Sequence, residues 1–81
     1  MIYDNVKSIR VAKGVNASHI ARALDLKPPG YYYIEGGQTD LSAERLKIIA
    51  GILGEDVAIF FDDKLTKSVL DRIRGVESAR D

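Results

Sequence analysis

The chain contains no cysteine, which excludes a disulfide framework, a thiolate metal site and a cysteine nucleophile. Its single histidine, His19, is too little for a zinc site. No apolar run approaches the ~20 residues that a membrane-spanning helix needs. The opening MIYDNVKSIR lacks the basic segment and apolar block of a signal peptide, so an intracellular protein without a membrane role is expected. Charge of one sign is also missing: basic and acidic residues balance to a net charge of zero. Neutrality does not favour nucleic acid, because phosphate contacts need Lys and Arg. No nucleophile–base pair, glycine-rich phosphate loop or ligand cluster is visible, so neither enzyme activity nor a cofactor nor a metal is expected. Asp62-Asp63 reads as a helix boundary and cap rather than a cation site, since two neighbouring carboxylates are too few. Proline occurs only twice, and the two stand together as Pro28-Pro29.

What the chain does have is apolar content, 46% of 81 residues, which suffices for one modest core in one compact unit. The charge is unevenly placed. Residues 1–34 hold Lys7, Arg10, Lys13, Arg22 and Lys27 against Asp4 and Asp25, and the acidic excess lies in residues 35–81.

The periodicity is helical throughout. A first helix is expected over Asp4 to Lys13, with Val6, Ile9 and Arg10 on one face and Gly14 past its end. Asn16 is a suitable cap for a second helix, Ala17 to Leu24, which buries Ile20, Ala21 and Leu24. After the turn Asp25-Leu26-Lys27, the two prolines forbid a third helix before about Pro28. That helix stops near Glu35, before Gly36-Gly37. A fourth runs from about Ser42 to Leu53, burying Leu46, Ile49, Ala50 and Leu53. Asp56 can cap a short fifth helix that buries Val57, Phe60 and Phe61. A sixth should extend from Asp63 or Lys64 to Arg74, with Leu65, Val69, Ile73 and Val76 as an apolar stripe and Leu70 beside it. No strand signal competes, so the fold class is all-α.

The stretch from Ile20 to Gly37 is a short helix, a tight turn and a second short helix. That arrangement lets the second helix enter the major groove of DNA. The residues Ile9-Arg10, Lys13-Gly14-Val15, Ile20-Ala21, Leu24, Leu26, Ile34-Glu35, Gly37, Ser42, Glu44, Leu46, Ile49-Ala50, Leu53-Gly54 and Phe60-Phe61 stand in the order and spacing of a known family. From Val6 to Phe61 the chain resembles the phage Cro and C1 repressor type of helix-turn-helix domain, the XRE family. The resemblance implies a compact five-helix, lambda-repressor-like bundle, here with an added C-terminal helix. Together with the helical periodicity, this divides the chain into an expected DNA-binding domain, 1–62, and a C-terminal helix with a frayed tail, 63–81.

The resemblance also implies roles. Base contacts fall on Pro28, Pro29, Gly30, Tyr32 and Tyr33, early in the third helix. Backbone contacts fall on Asn16, Ala17, Ser18, Lys27, Gln38, Thr39 and Asp40. Arg10 and Glu35 are expected to form a partly buried salt bridge between the first and third helices. Tyr31 reads as core, and His19 as an ordinary surface residue. Three positions depart from the family pattern. Ala17 replaces a phosphate-gripping Gln, Lys27 replaces a Ser or Thr cap, and the loop from Gly36 to Leu41 has no basic residue. Direct readout then rests on Tyr32, Tyr33 and Lys27, because Pro and Gly offer no bidentate contacts.

Two functions are expected from this pattern. One is a sequence-specific transcriptional regulator of the repressor or Cro type, cytoplasmic and nucleoid-associated, binding an inverted-repeat operator in double-stranded DNA as a homodimer. Its dimer contact would use Leu65, Val69, Ile73 and Val76, a stripe that otherwise folds back on the bundle. The other is a protein–protein interaction module, an antitoxin or regulator partner, in which DNA binding is weak or lost.

Overall fold

A computed structural model describes residues 1–75 of the chain. Its elements, in order, are α1 (Ile2–Ala12), α2 (Ala17–Ala23), α3 (Pro28–Glu35), α4 (Ala43–Leu53), a 3₁₀ helix (Val57–Phe61) and α5 (Asp63–Arg74). The fold is all-helical among the described residues, as the periodicity implies. None of these helices is long and apolar enough to cross a membrane.

Most boundaries follow from local chemistry. Ser42 accepts a hydrogen bond from Arg45 N at 3.2 Å and so starts α4. Asp56 accepts from Ala58 N at 2.8 Å to start the 3₁₀ helix. Asp62 accepts from Lys64 N and Leu65 N at 2.8 and 3.2 Å to start α5, so this carboxylate caps a helix. Asn16 differs. It has the extended backbone of a cap (φ −71°, ψ 137°), but its side chain makes no capping bond. Helix α1 begins two residues earlier than the sequence pattern suggests, at Ile2, which packs against the core.

The core gathers one stripe from each helix: Val6 and Ile9 of α1, Ile20 and Ala21 of α2, Tyr31 and Ile34 of α3, Leu46, Ile49, Ala50 and Leu53 of α4, and Phe60. Two expectations are corrected here. Phe61 is not buried; it is 62% exposed, and Ile59 takes a place in the core instead. The reason is the threefold repeat of the 3₁₀ helix. Val57 and Phe60 share its inner face, whereas Ala58 and Phe61 share a solvent face.

The second correction concerns the last helix. Its stripe finds partners within the chain: α5 packs along α1 and the 3₁₀ helix. Thr66 is buried and donates through Oγ1 to Ile59 O at 2.5 Å. Val69, Leu70 and Ile73 are half-buried against the core. The inward face is therefore 66, 69, 70 and 73, with Leu65 left exposed on its flank. Val76, placed in the stripe by the sequence, lies outside the described residues.

Polar ties complete the docking of α5. The buried Asn5 donates from Nδ2 to Phe60 O at 2.9 Å and to Asp63 Oδ1 at 3.0 Å. Lys13 donates from Nζ to Leu53 O at 2.5 Å and pairs with Glu55 at 2.6 Å. Glu55 in turn pairs with Arg72 at 3.0 Å. One carboxylate thus joins the ends of α1, α4 and α5.

Candidate nucleic-acid interface

Helices α2 and α3 pack closely because the residue between them is small. Ala21 is fully buried at their crossing, and Leu26 N bonds back to Ala21 O at 2.8 Å to close the turn. Asp25 makes that turn with φ +60°, the one positive-φ residue other than glycine among the described residues. Aspartate tolerates this conformation better than most side chains. Lys27 is extended (φ −78°, ψ 155°), as a residue before proline must be, and it supplies no side-chain cap.

At 100° per residue, α3 has two faces. Tyr31, Ile34 and Glu35 point inward and are buried. Pro29, Tyr32 and Tyr33 point outward, with Pro28 beside them. Tyr32 and Tyr33 are 55% and 56% exposed, so neither belongs to the core. Gly30 sits between the faces and is half-buried toward Leu26, so it is not part of the outer surface proper. The Tyr32 ring centre lies 6.4 Å from that of the buried Tyr31, with the planes tilted by 50°, a favourable aromatic spacing.

The inner face of α3 is fixed by an ion pair. Arg10 donates to Glu35 from Nε at 2.5 Å and from Nη2 at 3.1 Å, and its Nη1 reaches Val15 O at 2.9 Å. The Glu35 side chain is almost wholly buried. Its hydrogen bond is the main cause that raises the Arg10 pKa, against the opposing effect of burial. Beside this pair the Tyr31 hydroxyl is enclosed, close to Glu35 and Arg10 but without a well-formed hydrogen bond to either. Burial first, and the Glu35 carboxylate second, push its pKa far above the usual tyrosine range.

The exit of α3 is equally constrained. Gly37 has φ +81°, and a β-carbon there would meet Cζ of Tyr3 at 2.7 Å. Tyr3 of α1 therefore lies directly over the glycine, and a side chain there would be strained and would have to displace the Tyr3 ring. With its amide nitrogen turned toward the helix end, Gln38 donates to Tyr33 O at 3.1 Å and Gly36 O at 3.2 Å. Its side chain is thereby engaged in ending α3.

The residues expected at the interface are distributed unevenly. Asn16, Ser18, Lys27, Pro28, Pro29, Tyr32, Tyr33, Gln38, Thr39 and Asp40 are exposed along α2, α3 and the following loop. Ala17 is not: its side chain is buried, so only its backbone can meet a phosphate. The loop after α3 lines a groove of about 810 Å³ together with Met1, Tyr3, Phe61, Asp62 and Asp63. Asp40, Asp62 and Asp63 line that groove beside Lys64 and the Met1 ammonium, which pairs with Asp63 at 3.6 Å. Of the five cations before residue 35, Arg10 and Lys13 are spent on internal pairs, whereas Lys7, Arg22 and Lys27 are exposed. Among the described residues no group of three or more His, Asp or Glu side chains is placed to hold a metal.

The sequence reading missed Asn5, Thr66 and Lys13 as tying residues. Their signal was present only as polar residues on otherwise apolar helix faces.

Comparison with protein-family models finds a match to the helix-turn-helix model over residues 6–60. Curated proteins and solved structures gave no significant match. The family match covers more than half of the chain, and with the geometry above it is decisive: the chain belongs to the Cro/C1-type helix-turn-helix family of DNA-binding regulatory domains.

Proposed function

We propose that this protein is a sequence-specific transcriptional regulator of the repressor type that binds an inverted-repeat operator as a homodimer. The observation that carries the reading is the outer face of α3. Pro29, Tyr32 and Tyr33 are exposed, make no contribution to the core, and stand on a helix held by Arg10–Glu35 and the Tyr3–Gly37 contact. One short helix spans only a few base pairs, so two copies on half-sites about one DNA turn apart supply the length of a specific site. Lys27, Arg22, Asn16 and Ser18 flank α3 and supply backbone contacts. The pairing surface combines the exposed Phe61 and Leu65 with the outer edges of Val69 and Ile73.

Selection of bound duplexes by the purified chain tests this. An inverted repeat should be enriched, and affinity should fall steeply with salt. Lys27→Ala should lower the salt slope by about one and weaken all sequences alike, whereas Tyr32→Ala should relax the preference within each half-site. Failure to enrich any sequence, with no complex at low salt, overturns the reading.

A second reading is favoured by the loop after α3, Gly36 to Leu41, which carries Asp40 and no Lys or Arg where a DNA backbone would run. In that reading the exposed tyrosines or the start of α5 bind a protein, as in an antitoxin or regulator partner.

A further inference from the structure

The outer surface of α3 has an unusual chemical inventory for a helix set against base edges. It holds the ring carbons of Pro28 and Pro29 and the rings and hydroxyls of Tyr32 and Tyr33. It holds no amide, no guanidinium and no carboxylate, because Glu35 is turned inward and Gln38 lies beyond the end of the helix. The paired hydrogen bonds by which Arg reads guanine, or Asn and Gln read adenine, cannot be made from it.

Resting on the DNA-binding reading above, we propose that this face selects pyrimidines that carry a C5-methyl group, thymine or 5-methylcytosine, at the centre of each half-site. The major-groove edge of a base pair presents polar groups and one apolar group, the pyrimidine methyl. A proline ring set against a polar edge strips it of water and returns no hydrogen bond, which is penalised. Set against a methyl, the same ring gains apolar contact without loss. The discrimination is therefore largely subtractive: unmethylated cytosine and guanine edges are penalised, and methyl-bearing pyrimidines are accepted.

Rigidity makes the selection effective. The rings of Pro28 and Pro29 fix the backbone at the first two positions of α3 and have no side-chain rotamers to lose. The Tyr32 ring lies 6.4 Å from that of the fully buried Tyr31. The two prolines meet the groove already shaped, so a methyl missing beneath them leaves a gap that their rings cannot move to fill. The tyrosine hydroxyls, free on the exposed side, remain available to a phosphate or a base edge at the rim of this apolar patch.

The test uses the full chain and the operator duplex obtained by selection. Each thymine under α3 is replaced by deoxyuridine, which removes only the methyl. Affinity should fall by about fourfold for each methyl that touches the helix, the factor expected from one buried carbon. In a second arm, a C·G pair is placed at those positions and compared with its 5-methylcytosine form, which should bind more tightly by a similar factor. The second arm decides whether the methyl alone is read, whether on thymine or on cytosine. Pro29→Ala, with its fold checked by circular dichroism and thermal melting, should bring the thymine-to-uracil ratio toward one, whatever its effect on the affinity common to both duplexes. Equal affinity for thymine and uracil duplexes at every position, with specific binding retained, overturns the methyl selection and leaves the regulator intact. A methyl effect that is unchanged in Pro29→Ala overturns the assignment to this face. Absence of any duplex complex at low salt overturns both readings.

Discussion

At the scale of single residues, the interior of the protein is defined by a few polar groups set into apolar surroundings. Tyr31 is the clearest case, because its hydroxyl is enclosed without a well-formed hydrogen bond. An unsatisfied buried hydroxyl costs roughly 1–3 kcal/mol. Tyr31→Phe should therefore be neutral or stabilising by up to about 1 kcal/mol in urea denaturation, and a clear loss of stability would show that the hydroxyl has a partner. Glu35 behaves in the opposite way. Its carboxylate holds the guanidinium of Arg10 by two hydrogen bonds in a site nearly closed to water. Glu35→Ala strands that guanidinium and should cost about 3–5 kcal/mol in the same measurement. Both residues were legible in the sequence by type: a long cation and a carboxylate on apolar faces, and an aromatic at a core position. The poorly satisfied hydroxyl of Tyr31 was not legible, since it depends on how Arg10 and Glu35 are placed around it.

At the scale of elements, the helix ends were the most legible part of the chain. Ser42, Asp56 and Asp62 each cap the helix that follows, and Gly14, Gly54 and Gly75 have positive φ where helices end. These signals are local, so a sequence carries them directly. What was not legible was which side of a short element faces in. Phe61 was expected inside because an α-helical or strand-like reading of VAIFF buries both phenylalanines; the 3₁₀ repeat turns one outward. Likewise the stripe of α5 is anchored by a threonine, and polar Thr66 hides an inward position from any count of apolar residues. The junction between α1 and α5 has a pH dependence that can be derived. The Asn5 hydrogen bond first, and the N-terminal ammonium second, lower the pKa of Asp63 in the folded state. A lowered folded-state pKa contributes stability above the unfolded value, and that contribution is lost as pH falls through the folded value. Urea midpoints between pH 7 and pH 3 should therefore fall less steeply in Asn5→Ala than in the unmodified chain. At neutral pH the same variant should lose roughly 1–3 kcal/mol, because it also leaves the carbonyl of Phe60 without its donor.

At the scale of the whole molecule, the proposed function needs two copies, and the surface that would join them is small. Phe61 and Leu65 are the large apolar groups left exposed where α5 begins, while Val69 and Ile73 are shared with α1. The sequence stripe thus divides between internal packing and an outer edge. This division could not be read from spacing alone, because both uses need the same residues. Leu65→Glu should leave helicity intact, since the side chain is exposed, and should convert a dimer to a monomer in sedimentation. On an inverted repeat, the loss of linkage between half-sites should weaken binding by a factor on the order of a hundred. A dimer that survives this change would place the pairing surface elsewhere.

Asp62 is the only residue between the 3₁₀ helix and α5, and it serves both as the end of one and as the cap of the other. A joint of one residue has no slack. The direction of α5 is set as firmly as that of the core, and a pair of copies joined near its start would behave as a caliper with a fixed opening. Such an instrument measures distance as well as sequence. It should refuse two intact half-sites moved apart by a single base pair, because there is no flexible tether whose adjustment could take up the step.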